Sequence, residues 1–275
     1  MSIKKVIHCS DIHIRNFQRM EEYAEQLTKF IEKCKEIVEP YEQDEVRIVI
    51  SGDIMHQKND LSPEAITFVS TFLRQLQEIC KVLVIAGNHD LVVNNSTRKD
   101  AISAIFETAN FENCFLLDAE LGYQSGCVID DNVTWVVYSI FNDFLRPDIE
   151  QNVIDNPHNK VIGLFHGMIV GAQMQNNSIA ENGLNTDIFQ GCDCVMAGDI
   201  HKRQTIKRNG VKLVYPGSMI QQTFGETVSQ HGFVLWDMVT MEHEFIDLDT
   251  NYGLYDIEVS SIEDFDANAE VLLNA

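Results

Sequence analysis

Residues 81–90 read Lys81-Val82-Leu83-Val84-Ile85-Ala86-Gly87-Asn88-His89-Asp90. The apolar run is that of a strand buried on both faces, and the Asn, His and Asp that follow crowd polar side chains where a fold normally needs one turn residue. An amphipathic helix comes next, with Ala101, Ile102, Ile105, Phe106 and Ala109 at three-to-four spacing. The same order of strand, polar cluster and helix occurs twice upstream. Lys5-Val6-Ile7 leads through Ser10-Asp11 to a helix carrying Met20, Ala24, Leu27, Ile31, Cys34 and Val38. Val46-Arg47-Ile48-Val49-Ile50 leads through Gly52-Asp53 to Leu61-Ser62-Pro63, a cap with proline at the first helical turn, and a helix ending near Ile79. This alternation predicts a parallel sheet with helices on its faces.

Beyond about Cys114 short strands dominate: 127–129, 134–140, 161–165, 194–197, 211–215, 232–236 and 244–248. They need an apolar face covered in their turn, so the expected fold is α/β, a two-sheet α/β sandwich. Gln173 to Asn182 reads as a loop. One domain is expected over residues 1–250. Tyr255-Asp256-Ile257-Glu258-Val259 and Ser261-Ile262-Glu263-Asp264 read as a strand and a helix start, opening a truncated or absent C-terminal capping domain over 251–275.

The chain has 275 residues and a formal charge of −22, from 20 Lys+Arg against 42 Asp+Glu. A polyanion would meet a repulsive long-range field unless local features reverse it. The seven cysteines include no CxxC pair and fall largely in apolar elements, as reduced buried thiols of an intracellular protein would. The N-terminal apolar run is too short for a secretory signal, and no stretch approaches the roughly 20 residues of a membrane span. A cytoplasmic location follows by default, in the nucleoid region or, for a viral protein, the host cytoplasm.

Five polar clusters end apolar strands: Asp11-x-His13, Gly52-Asp53, Gly87-Asn88-His89-Asp90, His166-Gly167 and Asp199-x-His201. Each alone is weak; a Gly-Asp is commonly a turn, and a lone His166 commonly a satisfied core histidine. Together they bring oxygen and imidazole donors, with no thiolate, to strand ends that converge on one crevice. That set suits Mn, Fe or Zn at a dinuclear centre better than Ca or Mg.

The ordered series resembles the calcineurin-like metallophosphoesterase superfamily, whose four-layer α/β sandwich it implies. Gly52-Asp53-Ile54-Met55-His56 leading to Leu61-Ser62-Pro63, and Tyr215-Pro216-Gly217-Ser218 leading to Phe224-Gly225-Glu226, are similar to segments of the DNA double-strand-break repair nucleases, SbcD and its archaeal and eukaryotic counterparts. The resemblance covers roughly residues 3 to 250. It implies two divalent metal ions, Mn above all, with Asp11, His13 and His201 on one, Asn88 and His166 on the other, and Asp53 bridging. It makes His89 the general acid, with His56 contacting phosphate or steering His89, and Asp90 a residue that orients the loop. The Pro216-Gly217-Ser218 turn would shape the DNA face, and Lys202 and Arg203 would meet the backbone beside Lys207 and Arg208.

At one position the chain departs from the pattern: the late cluster is usually Gly-His-x-His, and here it is Gly198-Asp199-Ile200-His201. A carboxylate Oδ and an imidazole Nδ1 both lie two bonds beyond Cβ, so Asp199 can stand in for a histidine that binds through Nδ1. Ligation would exchange a neutral ligand for an anionic one and favour harder metals. Without it, the second position would be weak.

The resemblance implies a Mn-dependent DNA nuclease, with 3′ to 5′ exonuclease and endonuclease activity, working in double-strand-break repair. Two alternatives stand beside it. A phosphodiesterase or phosphatase for small phosphoesters suits the acidity better, and a weakly catalytic subunit that binds DNA ends would suit an impaired centre at Asp199. The resemblance also implies a homodimer through helices 61–79 and 99–109, and an SbcC/Rad-type ATPase subunit as partner.

Overall fold

The structure, a computed structural model, describes residues 2–58, 61–91, 100–255 and 260. Strand β1 (Lys5–Cys9) pairs in parallel with β2 (Val46–Ser51), β2 with β3 (Lys81–Ile85), and β3 with β4 (Cys114–Leu116). Helices α1 (Met20–Val38), α2 (Pro63–Gln77) and α3 (Ala101–Ala109) supply the crossovers. Side-chain oxygens start two of them: Ser62 Oγ accepts from the Ala65 amide at 3.1 Å, and Asp100 Oδ1 from the Ser103 amide at 2.7 Å. The short helix α4 (Leu117–Glu120) leads to the second sheet.

That sheet runs β5-β6-β7-β8-β10-β9, made of β5 (Gly126–Asp130), β6 (Val133–Tyr138), β7 (Lys160–His166), β8 (Cys194–Gly198), β9 (Gln204–Arg208) and β10 (Val211–Tyr215). Helix α5 (Ile149–Asp155) lies between β6 and β7 in the chain. Strands β11 (Gly232–Asp237) and β12 (His243–Asp247) return to the first sheet, where β11 pairs antiparallel to β1. Each sheet has six strands, and the expected two-sheet sandwich is the fold.

Strand periodicity distributes the core. On β1 and β2, Ile7, Cys9, Ile48 and Ile50 face the helices, whereas Val6 and Val49 pack between the sheets against Trp135, Val137, Leu164 and Met196. The outer face of the second sheet buries Tyr138, Phe165, Val195 and Tyr215 with Phe189. At the strand ends remote from the Gly-Asp and Gly-Asn-His-Asp loops, the sheets are joined by charge. The fully buried Arg47 of β2 clasps Asp130 of β5 with two bonds of 2.7 and 2.9 Å, and Lys81 adds a third at 2.8 Å.

The strand expected over 134–140 ends at Tyr138, because Ser139 Oγ accepts from the Phe141 amide and turns Ile140–Asn142 into a 3-10 helix. Strands β4 and β9 were not expected: β4 has three residues, and β9 is an edge strand with Ile206 as its one apolar residue, which hides its pairing. All seven cysteines are free, six of them buried. Among the described residues no helix is long and apolar enough to cross a membrane. The strand and helix expected from Asp256 onward lie outside the described residues, as does Lys99 of the third helix.

Candidate metal centre

Five loops leave the C-terminal ends of β1, β2, β3, β7 and β8 and meet above both sheets. The chain turns sharply to present its side chains: Asp11, His13, Asp53 and Asp199 all hold left-handed backbones, with φ of 53°, 54°, 56° and 93°. Such conformations cost about 1–3 kcal/mol each for non-glycine residues and collect at functional sites. The glycines before the ligands have a packing reason. A Cβ on Gly52 would overlap the His166 ring, one on Gly198 would lie 2.8 Å from His166 Nδ1, and one on Gly87 would overlap the Asp53 carboxylate.

Asp11, His13 and His201 form one group of converging donor atoms, Asp11, Asp53 and His166 a second, and His13, His56 and His89 a third. His13 Nε2 lies 3.0 Å from His201 Nε2, 3.5 Å from Asp53 Oδ2 and 3.8 Å from Asp11 Oδ1. His166 Nε2 lies 3.4 Å from Asp53 Oδ2 and 3.9 Å from Asp199 Oδ1. Asp53 therefore faces the first two groups. Asn88 Nδ2 donates to Asp199 Oδ1 at 2.9 Å, which leaves Asn88 Oδ1 buried with no partner. Asp199 so stands at the second position with its carboxylate directed at Asn88 and His166. It belongs to none of these groups.

The far nitrogen of each imidazole has a partner, and where that partner is an oxygen acceptor it places a proton on Nδ1. His166 Nδ1 donates to the Ser51 carbonyl at 2.7 Å, and His201 Nδ1 bonds Glu226 Oε1 at 2.9 Å. His13 Nδ1 meets His56 Nδ1 at 3.3 Å. Three Nε2 atoms thus point inward. His89 stands against this wall, its ring edge-on to His13 with centroids 4.7 Å apart and stacked on His56 at 5.0 Å. Its Nδ1 donates to the His56 carbonyl at 2.9 Å, its amide donates to Asp53 Oδ1 at 2.8 Å, and Nε2 has no hydrogen bond among the described residues. Asp90 accepts from the amides of Gly87, Asp53 and Met55 at 2.9 Å each, holding two ligand loops together.

Burial dominates the electrostatics, corrected by neighbours. Burial, with the nearby Asp53 carboxylate, lifts Asp11 to about 6 and Asp90 to about 7. Asp53 moves the other way: burial opposes ionisation, but the His166 and His13 imidazoles outweigh it and hold the carboxyl well below the usual range. Burial also raises Asp199. His56 falls to about 4 through burial, helped by the Arg15 guanidinium and His89. His201 stays above its ordinary value because Glu226 outweighs burial.

The donor set fits a pair of divalent cations on observations independent of any bound ion. His166 Nε2 and Asn88 Oδ1 are buried acceptors without partners among the described residues. The Nε2 atoms of His13 and His201 face each other at 3.0 Å, a contact that needs a proton or a cation between them. That separation is also what two nitrogens about 2.1 Å from one ion at about a right angle would show.

The chain belongs to the calcineurin-like phosphoesterase superfamily: residues 4–240 match the family described as "Calcineurin-like phosphoesterase superfamily domain". An uncharacterized protein of Acanthamoeba polyphaga mimivirus is 36% identical over 269 residues, 94% of this chain. This chain spans 19% of that relative's length. The protein named "Putative phosphoesterase 244L" of Invertebrate iridescent virus 6 is 27% identical over 233 residues, 81% of this chain and 72% of that protein. The solved structure of an archaeal phosphodiesterase is 13% identical with a TM-score of 0.41, covering 89% of this chain and 99% of that one.

The structure brings Asp11, His13, Asp53, Asn88, His89, His56, His166, Asp199 and His201 into one cluster. It corrects the expected DNA face at Ser218. That side chain is 1% exposed, and its hydroxyl donates to Glu226 Oε2 at 2.8 Å, so it supports the support of His201 and cannot reach a phosphate. Arg203 borders the cleft beside His201, but its guanidinium is engaged by Asp247 at 2.5 Å and lies over the Phe245 ring. Lys202 bonds Asn177 Oδ1 at 2.5 Å and stays on the rim. Sequence reasoning assigned no role to Glu226 or Ser51. Glu226 lies within the Phe224-Gly225-Glu226 segment, which was the available signal; Ser51 acts through its carbonyl, which no residue type announces.

Proposed function

We propose that this protein is a phosphodiesterase that uses two divalent ions, preferentially Mn, and that its substrate is DNA, as the resemblance to double-strand-break repair nucleases implies. The observation that carries the hydrolytic reading is the placement of His89: anchored at Nδ1 and at its amide, with no hydrogen bond to Nε2 among the described residues, beside two donor groups that share Asp11 and that Asp53 faces from between. When bound, the ions supply electrostatic stabilisation of the phosphoryl oxygens and acidify water. Asp11, His13 and His201 would hold one and Asn88, His166 and Asp199 the other, with Asp53 between. His89 donates a proton from Nε2 to the leaving oxygen, and His56 keeps its ring in plane by stacking. Asp90 holds the Asp53 and Asn88 loops at a fixed spacing.

Net charge, the ion-paired Arg203 and the buried Ser218 favour a second reading, a phosphodiesterase for small esters. Incubation with end-labelled duplex DNA, single-stranded DNA and bis(p-nitrophenyl) phosphate, with Mn or Mg, separates the two. Stepwise loss from 3′ ends with Mn supports the nuclease; turnover of the small ester alone sinks it, and DNA-end binding without turnover would leave the weakly catalytic subunit. Anomalous scattering at the Mn edge tests Asp199, since a single occupied position refutes its ligation. The homodimer and the SbcC/Rad-type ATPase partner belong to the same proposal. Sedimentation showing only monomer at micromolar concentration would count against the dimer.

A further inference from the structure

Arg15 follows His13 by two positions, and Lys58 follows His56 by two. Their loops are joined: Ile14 and Met55 form a parallel bridge, and the His56 amide donates to the Ile14 carbonyl at 3.0 Å. Both cations therefore leave one rim of the centre. Of the chain's arginines, Arg19, Arg47, Arg146 and Arg203 hold carboxylates. Arg15 has none among the described residues, and neither have Arg74 and Arg208, which bond backbone carbonyls. Arg15 Nη2 donates to Gln222 Oε1 at 3.3 Å, and its Nε is buried without a partner. Lys58 has no ion pair among the described residues either.

In a chain of 42 Asp+Glu and 20 Lys+Arg, cations without a carboxylate among the described residues, beside a hydrolytic centre, offset the repulsive field locally. The guanidinium fork matches phosphate oxygens. Two residues beyond Arg15, Phe17 is 73% exposed on a left-handed backbone (φ 55°), which a bulky side chain adopts only under constraint. Two residues beyond Gln222, which holds Arg15, Phe224 is 64% exposed. Exposed aromatic rings beside a cation form the stacking platform that single strands use, because every base has a π-face.

We propose that Arg15, assisted by Lys58, binds the phosphate next to the scissile one, and that Phe17 stacks on the attached base. The preferred substrate is then a polynucleotide strand unpaired at the cleavage point. This rests on the phosphodiesterase reading above. Gln222 aims the guanidinium, since its own amides are fixed by Glu226 Oε2 at 2.9 Å and by the Ile12 carbonyl at 3.1 Å.

The test compares wild type, Arg15→Gln and Phe17→Ala on single-stranded oligothymidylate, the same strand with abasic sites, its duplex with oligoadenylate, and bis(p-nitrophenyl) phosphate. Fluorescence anisotropy with labelled oligothymidylate in EDTA gives binding without turnover. Arg15→Gln should cut the strand-to-small-ester ratio of kcat/KM at least tenfold, through KM, weaken strand binding about tenfold, and lower the salt slope of binding by about one. Phe17→Ala should weaken binding of the oligothymidylate but not of the abasic strand, and wild type should prefer the single strand to the duplex. A strand cleaved and bound equally by wild type and Arg15→Gln overturns the subsite and leaves the hydrolytic reading intact. Equal losses on strand and small ester also overturn it, as a structural role would produce them. Wild type that turns over only the small ester overturns the nuclease reading and the subsite together.

Discussion

His13 and His201 meet Nε2 to Nε2 at 3.0 Å, although 188 positions separate them in the chain. Each imidazole has its other nitrogen occupied by a neighbour, so the two Nε2 atoms are held face to face with room between them for one proton or a cation. A cation relieves that contact. Mn added at 100 times its Kd should therefore raise stability by about 2.7 kcal/mol per site, read as a rise in Tm. His201→Ala should lose most of this gain, and calorimetric titration should count two ions per wild-type chain. A flat melting curve across the Mn titration would refute the metal assignment.

His89→Gln keeps a side chain of similar reach but removes the proton donor. Its kcat should fall about 10²–10⁴-fold, with the ion count unchanged. Loss of an ion from this variant would mean that His89 ligates and does not donate.

Glu226→Gln tests the carboxylate behind His201. The amide still fills the space between Ser218, Gln222 and His201, yet withdraws the charge that makes the imidazole a stronger base. Metal affinity at the first position should weaken about 10–100-fold. Competitive titration against a fluorescent chelator measures this directly, and unchanged affinity would reduce Glu226 to a packing residue.

Much of this centre was legible because motif residues act through their side chains. Asp11, His13, Asp53, Asn88, His166 and His201 each follow an apolar run that marks a strand, and strand ends in such a sheet meet. The helix start at Ser62-Pro63 was equally plain, because a side-chain cap is written in the sequence. What stayed hidden acts through backbone or distance. Ser51 works by its carbonyl, Glu226 reaches His201 across 25 residues, and β9 pairs as an edge with no apolar alternation to reveal it. Ser218 was misjudged for a related reason: a Pro-Gly-Ser turn reads as surface, and only packing against Glu226 and His231 shows it inside.

Asp130→Ala would strand the Arg47 guanidinium, which is 1% exposed, with Asp131 at 3.4 Å as its remaining carboxylate. Breaking a buried pair on one side costs about 3–5 kcal/mol. Denaturant melts should show that loss with metal affinity preserved, because the clasp lies at the strand ends remote from the centre. Replacing both partners by apolar residues should recover much of it.

His8 predicts an acid-sensitive fold. It is fully buried with Nε2 on Ser51 Oγ at 2.8 Å, and burial lowers its pKa to about 3. The unfolded imidazole takes a proton below about 6.5 and the folded one does not, so stability is full above that pH. It should fall by about 1.4 kcal/mol per pH unit as pH drops from there toward 3. His8→Gln should flatten the urea midpoint between pH 6.5 and 4; an unchanged slope would assign the acid sensitivity to other groups.

The seven candidate ligands divide between the sheets: Asp11, His13, Asp53 and Asn88 rise from the first, His166, Asp199 and His201 from the second. A nascent chain would thus carry four of them out of the ribosome long before the other three exist. Nothing resembling the finished donor set can form until β8 and the segment to Glu226 have been synthesised and docked. Hydrolytic competence would arrive late and all at once, and a stalled or clipped fragment of the first sheet would be chemically silent.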